Sequence, residues 1–295
     1  MLDQFTKIDT DETLRETAKH GSSDYPFKYY LENILDFDFH CIDWHWHPEF
    51  EFVYIREGSC TIFIGAEKLT LNEGAAIFIN SGIVHRFEAT EDCIIPNMLF
   101  APTLLAGEDT LIYKKFIEPV IGAEEYIVFE HEEKANKIMR EIFDELAENK
   151  ADELRTVSRL MDLWAEIKPA PHKKENDITK SNQARLQIMM KFVHDNYARQ
   201  ITLEDIAQSV SISPSNALLI FQKSIMTSPV AYLIDHRLKV AAGLLRTTEK
   251  KVGAIADETG FNSCEYFCRK FKQLYGVTPN EFRRTAASAS TRPDP

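Results

Sequence analysis

The feature that most constrains this chain is that its C-terminal third repeats itself. Ser213…Phe221 returns as Ser263…Phe271 fifty positions later, and Ser228-Pro229 returns as Thr278-Pro279 at the same offset. Ile206-Ala207 and Ile255-Ala256 are forty-nine apart, so one turn is a residue longer in one copy. Self-similarity at this spacing means one supersecondary unit used twice. Each copy reads as two helices around a tight turn. In the first, Thr202 is an N-cap for a helix over Leu203–Val210, Ser211-Ile212 turns, and Ser213 caps a helix with Pro214 at its first position. In the second, the first helix covers Gly253–Thr259, and Gly260 suits the left-handed position beyond a helix end. Ser263 then caps Cys264–Tyr275, Gly276 ends it, and Thr278…Glu281 is a capping box for a last helix. Between the copies, a helix from Ser228-Pro229 to Arg246 buries Leu233, Leu238, Ala241, Leu244 and Leu245.

Two helices meeting through a short turn form the helix-turn-helix, whose second helix fits the major groove of double-stranded DNA. Two copies on one rigid connector can reach successive groove segments roughly 34 Å apart. Charge agrees with this placement. The whole chain carries −12, but residues 1–175 hold 18 basic against 35 acidic residues, while residues 176–295 hold 16 against 11. An acidic body and a basic tail restrict any nucleic-acid contact to the C-terminal third.

The run ITLEDIAQSVSISPSNALLIFQKS, then TSPVAYLIDHRLKVAAGLL, then VGAIADETGFNSCEYFCRKFKQLYGVTPNEFRR resembles the DNA-binding domain of AraC/XylS-type transcription regulators. IADETGF, YFCRKFK and GVTPNEFR carry the likeness most specifically. The resemblance implies base-edge readers at Ser215, Asn216, Leu218 and Leu219 of the first copy, with Lys223 on phosphate. Leu218 and Leu219 stand where polar or Arg side chains are common; leucine can at most contact a thymine methyl. In the second copy Cys264, Glu265, Cys268 and Arg269 face outward at helical spacing. Arg269 can bind guanine bidentately and Glu265 can accept from cytosine, while Lys270 and Lys272 suit phosphate. Cys264 and Cys268, one turn apart, could also hold a soft metal, but two ligands make a poor site.

Residues 40–100 read as short strands punctuated by Gly-containing turns: Phe50–Arg56, Cys60–Ile64, Lys68–Leu71 and Ala75–Ile79. Such spacing points to an antiparallel sandwich or barrel, with Tyr25-Pro26-Phe27 leading into its first strand. Within this region His45-x-His47-x3-Glu51-x6-Gly58 and Gly74-x5-Asn80…His85 resemble the two signature motifs of cupin barrels, with Asn80 where proline is usual. His45, His47 and Glu51 share strand parity and can point to one interior face. Three imidazoles and a carboxylate suit a divalent Zn, Fe, Mn or Ni ion. A metal-dependent cupin enzyme, a metal-responsive sensor, and a metal-free sensor holding its effector by hydrogen bonds all remain open. AraC-type regulators often carry such a barrel as effector domain, which favours a sensor. His45, His47, Glu51, His85, Tyr54 and Arg86 are the expected effector contacts, with Phe52, Phe63 and Phe78 as further pocket walls for a small polar molecule such as a sugar.

Residues 109–168 change to helical period, with Ile138, Ile142, Phe143 and Leu146, then Leu154, Val157, Leu160, Met161, Trp164 and Ile167. Two helices joined near Asn149-Lys150 can cover the barrel or join a second copy of the chain. KPAPHKKEND (168–177) reads as a linker. The fold expectation is multidomain α+β: an N-terminal antiparallel β-barrel (cupin) over 1–130, a helical hairpin for self-association over 131–170, a linker over 171–181, an all-α double helix-turn-helix over 182–285, and a disordered tail over 286–295. No apolar stretch approaches a membrane span, and five cysteines without a CxxC pair suit a reducing cytoplasm. The expected function is a cytoplasmic, homodimeric, non-enzymatic regulator, an activator that recruits RNA polymerase in response to a small-molecule effector. Arg269→Ala should cost about 1–3 kcal/mol of DNA affinity, concentrated at one base position. Binding measured against a library of singly substituted sites checks this; a uniform loss over all sites contradicts base readout.

Overall fold

The computed structural model describes residues 7–11, 13–65, 67–121, 123–167 and 177–290, with side chains from 181 to 284 in the last range. The chain divides into two compact units, Thr6–Ser181 and the region from Asn182 onward.

Among the described residues of the first unit, nine strands form two antiparallel sheets. They are β1 (Phe27–Asn33), β2 (Cys41–His45), β3 (Phe50–Tyr54), β4 (Ser59–Ile64), β5 (Glu67–Asn72), β6 (Ala76–Ile79), β7 (His85–Glu88), β8 (Ile94–Phe100) and β9 (Tyr126–Phe129). One sheet has the order β1-β8-β3-β6-β9 and the other β2-β7-β4-β5. The expected barrel is therefore a sandwich in its hydrogen bonding. The ladder ends at β1 and β9 in one sheet and at β2 and β5 in the other, and side-chain packing rather than a continuous ladder joins them.

Strand alternation sorts the residues of the central strand β3. Val53 joins Ile42, Ile62, Ile64, Ile77 and Phe87 in the core between the sheets. Phe50 and Phe52 face the other way, with Phe78, Met98 and Phe100 opposite them in register. That outer face is covered by α1 (Lys134–Ala147) and α2 (Glu153–Glu166), whose Ile138, Ile142, Phe143, Leu160, Leu163 and Trp164 complete a second core. The apolar stripe of the hairpin thus lies on the sheet. Its outward side carries ion pairs such as Arg155 to Glu145 at 2.9 Å and Lys134 to Glu166 at 2.7 Å. Asn149 makes the turn between the helices with φ +51°.

The second unit is helical: α3 (Asp177–Asn196), α4 (Leu203–Gln208), α5 (Pro214–Ile225), α6 (Pro229–Thr247), α7 (Val252–Glu258), α8 (Cys264–Tyr275) and α9 (Pro279–Ser290). Helix α3 begins at Asp177, inside the segment expected as linker, whose part up to 176 lies outside the described residues. Helix α9 reaches Ser290, so 286–290 are helical rather than a disordered tail, and 291–295 lie outside the described residues. Side-chain caps start the helices where the sequence places them: Ser213, Ser228 and Ser263 each accept from the backbone N–H three residues on. Thr202 and Asp205 make a reciprocal capping box for α4.

One tie was not evident from local pattern. Arg237 on α6 is 7% exposed and donates to the carbonyls of Tyr197 and Arg199, both at 2.7 Å. Its guanidinium lies 5.9 Å from the Phe261 ring. Gly260, at φ +83°, makes room: a Cβ there would come 2.6 Å from Tyr197 O and 3.0 Å from the guanidinium.

Phe52 is fully buried, stacked 5.8 Å from Phe100 and tilted against Phe78 at 4.9 Å. Phe52→Ala should cost about 3–5 kcal/mol of stability in this unit, read as a lower urea midpoint.

Candidate functional site

The sandwich gathers four polar side chains into one buried cluster. His45 ends β2, His85 begins β7 directly opposite it, Glu51 lies in β3, and His47 precedes β3. All four are at most 4% exposed. A ligand nitrogen from each of His45, His47 and His85 lies within 4.8 Å of the others. Glu51 Oε2 is 3.0 Å from His85 Nε2 and 3.4 Å from His47 Nε2. The turn bearing His85 is fixed by Asn80, which is 1% exposed. Its amide donates to Val120 O and Glu124 O, and its Oδ1 accepts from Ser81 N–H.

The backbone sets the tautomers. His45 Nδ1 is 2.8 Å from Asp43 O, His85 Nδ1 is 2.8 Å from Ile83 O, and His47 Nδ1 is 3.2 Å from Glu49 O. A carbonyl only accepts, so each Nδ1 is the protonated nitrogen and each Nε2 is left to face the cluster. His47 Nε2, His85 Nε2 and Glu51 Oε2 are buried without a well-aligned hydrogen bond. Lone pairs turned toward a carboxylate repel it unless a proton or cation lies between them. Burial pushes the Glu51 carboxyl up, but the facing His47 and His85 outweigh it and hold it below the usual carboxylate range. Burial, then His85 and His47, holds His45 well below the ordinary imidazole value. Donors tied on their far side and bare toward a shared centre fit a divalent transition metal.

His45 and Glu51 also line a cavity of about 320 Å³. Its far wall includes Glu16, His20, Tyr30, Glu32 and Asn97. His20 Nδ1 lies 3.0 Å from Tyr30 Oη and its Nε2 3.2 Å from Glu16, and its ring meets the His47 ring edge-on at 5.7 Å. Burial opposes the charge on His20, yet the Glu16 carboxylate keeps its pKa above the ordinary value. Asn97 Nδ2 donates to Glu32 at 2.7 Å. Burial pushes Glu32 up to about 7 against that hydrogen bond.

In the helical unit, α5 buries Ala217, Ile220, Phe221 and Ile225 and exposes Ser215, Asn216, Leu219 and Lys223, with Leu218 half-buried. Helix α8 buries Phe267 and Phe271 and exposes Cys264, Glu265, Arg269 and Lys272, with Cys268 and Lys270 half-buried. The Arg269 guanidinium carbon lies over the Tyr266 ring, 5.3 Å from its centroid. Each second helix therefore presents a face free of the core, mixed polar and apolar on α5 and more charged on α8.

Comparison with known proteins completes this picture. The AraC-like ligand binding domain family matches residues 35–164, and the helix-turn-helix domain family matches residues 206–285. The chain belongs to the AraC family of transcription regulators. The uncharacterized HTH-type transcriptional regulator YdeC of Bacillus subtilis is 27% identical over 284 residues, covering 93% of this chain and 97% of its own. The melibiose operon regulatory protein of Escherichia coli K12 is 22% identical over 252 residues, covering 81% and 83%. An AraC-type DNA-binding domain structure from Chromobacterium violaceum is 27% identical, covers 37% of this chain and 96% of its own, and superposes with a TM-score of 0.35.

This AraC-family chain does not bring every expected contact to its cavity. Tyr54 lies on the hairpin side of β3, its ring 6.4 Å from Phe143, and Phe52 and Phe78 are buried on that same side. Arg86 alternates with the inward His85 and Phe87, and pairs outside with Asp43 at 3.0 Å and with Glu88. Phe63, between inward Ile62 and Ile64, meets Trp44 at 6.1 Å and Lys68 at 5.4 Å. Strand alternation removes all five from the cavity. Glu32, Asn97, Tyr30, His20 and Glu16 were missed. The one local signal was Asn97, a lone polar residue inside the apolar run of β8.

Proposed function

We propose that this AraC-family, DNA-binding regulator is a homodimeric, cytoplasmic activator whose sensor domain holds a divalent transition metal at His45, His47, Glu51 and His85 and binds a small polar effector beside it. The observation that carries the sensor reading is the convergence of three imidazoles and one carboxylate on a buried centre beside a cavity. Bound there, a Zn, Fe, Mn or Ni ion would offer Lewis-acid positions to an oxygen or nitrogen of the effector. His45, His47 and His85 supply neutral imidazole, already oriented by the carbonyls behind them, and Glu51 supplies the anionic donor. A sugar is the effector class to which the melibiose operon relative points by its name.

The reading for the other unit is that α5 and α8 enter successive major-groove segments. Ser215, Asn216, Leu218 and Leu219 would meet bases weakly, while Glu265 and Arg269 would supply most hydrogen-bonded readout beside Cys264 and Cys268. Lys223, Lys270 and Lys272 would position the phosphate backbone. Effector binding would change which half-site spacing a dimer bridges and so the recruitment of RNA polymerase. Because the hairpin stripe is spent on the sheet, a dimer through 131–170 would meet through its charged outer side and the exposed Leu154. Among the described residues no single helix is long and apolar enough to cross a membrane.

The contact chain Glu16–His20–Tyr30, an ion-pair distance followed by a hydrogen bond, favours, as a second reading, metal-assisted turnover in the same cavity. Two measurements separate these. Purified protein should carry a stoichiometric divalent transition metal by elemental analysis, and His47→Ala should lose most of it. Metal-free wild type would remove the metal sensor and leave the hydrogen-bonding one. Genome-wide mapping should find discrete promoter sites, and protection should extend over adjacent major-groove segments; failure to bind any site at moderate salt would sink the regulator and favour the enzyme.

A further inference from the structure

The cavity wall opposite the histidine cluster is poor in free donors. The chain has a Lys7 ammonium there, but it is exposed and lies 3.2 Å from Asp9. Thr17 Oγ1 donates to Asp9 O at 3.0 Å, and His45 Nδ1 is directed at Asp43 O. His20 Nε2 faces Glu16 and its Nδ1 lies 3.0 Å from Tyr30 Oη, and the Asn97 amide is engaged with Glu32.

Acceptors are left over instead. Asn97 Oδ1 is buried with no partner, in a residue 3% exposed. Glu32 lies beside it on the neighbouring strand, since β1 and β8 pair antiparallel with Tyr30 opposite Asn97. Glu32 has no ion-pair partner among the described residues; Glu16 adds a second carboxylate to its wall, and Glu51 a third across the cavity. The Asn97 amide carbonyl, buried without a donor, is expensive to leave as it is, and the half-buried Glu32 carboxyl accepts only from the Asn97 amide among the described residues. A hydroxyl offers these acceptors one hydrogen and brings no charge to the carboxylate. A protonated amine needs acceptors alone, and at least one of them anionic.

We propose that Glu32 and Asn97 form the specificity subsite of this cavity, and that they take a cationic nitrogen group, a primary ammonium or an amidinium, on a ligand small enough for about 320 Å³. This rests on the sensor reading above and narrows its effector class from polar molecules in general to aminated ones. Glu32 supplies the counter-charge, Asn97 Oδ1 and the Tyr30 oxygen take further N–H groups, and the apolar Phe37, Ile42, Phe87 and Leu99 hold the carbon frame. The remainder of the ligand extends toward His45 and Glu51. An anionic ligand is disfavoured by the carboxylates on the same wall.

The test uses the full-length protein and two matched series of probes: putrescine, butane-1,4-diol and succinate; glucosamine, glucose and glucuronate. Thermal unfolding is followed as each probe is titrated. The amine of at least one series should raise the unfolding midpoint at concentrations where its alcohol and carboxylate partners do not. Glu32→Gln should weaken that amine at least tenfold and erase its advantage over the alcohol. Asn97→Ala, a second variant, should weaken it too, and both variants should show a cooperative unfolding transition before their ligand response is read. The proposal is overturned if the alcohol or the carboxylate is the member that stabilises, if the amine response survives Glu32→Gln, or if no amine stabilises the protein at all. Metal content and promoter binding by the wild type, measured without any probe, report on the sensor and regulator readings separately.

Discussion

The register of strand β3 is the constraint on which the sensor unit depends. Phe50 and Phe52 go into the aromatic core beneath the hairpin, and Glu51 goes between the sheets to meet three imidazoles. A slip of one residue would exchange the faces. It would drive a carboxylate into a core of Phe78, Phe100, Phe143 and Trp164, and leave a phenyl ring among the histidines. The aromatic packing on one side therefore fixes the polar geometry on the other. The flanking strands are held to the same choice, because β6 and β8 pair with β3 on either side.

The cluster is rigid for a different reason. Each imidazole is anchored by a carbonyl only two residues away in sequence, so ring orientation is set by local backbone before any distant contact forms. Only the convergence of the rings needs the fold, through the pairing of β2 with β7. Preorganised donors lose little freedom when they take a cation, which is the usual way a protein makes a tight metal centre from few residues.

The legible parts of the sequence were those written in short-range chemistry. Caps at Thr202, Ser213, Ser228, Ser263 and Thr278, and Gly260 at a helix end, mark the duplicated unit because each acts on backbone within a few residues. The histidine cluster was legible through parity and motif spacing. The chemistry of Tyr54 and Arg86 suits a ligand, yet alternation from Glu51 and His85 turns both side chains away from the cavity. Glu32 and Asn97 could not be paired from sequence, since 65 positions separate them and only the β1–β8 ladder joins them. The hairpin stripe showed that α1 and α2 bury a face, and a periodicity carries no information about which surface receives it.

Arg237 has an implication for the duplicated unit as a whole. Its guanidinium, on the connecting helix, grips the segment entering the first copy and closes against Phe261 and Gly260 of the second. Gln200 reaches across to Gly260 O from the same entering segment. The two corners are alike in sequence but not interchangeable in the finished molecule, since each completes the other's seating. A gene fragment encoding one corner would inherit the pattern without the lock, so the pair must be exchanged between proteins as a single block.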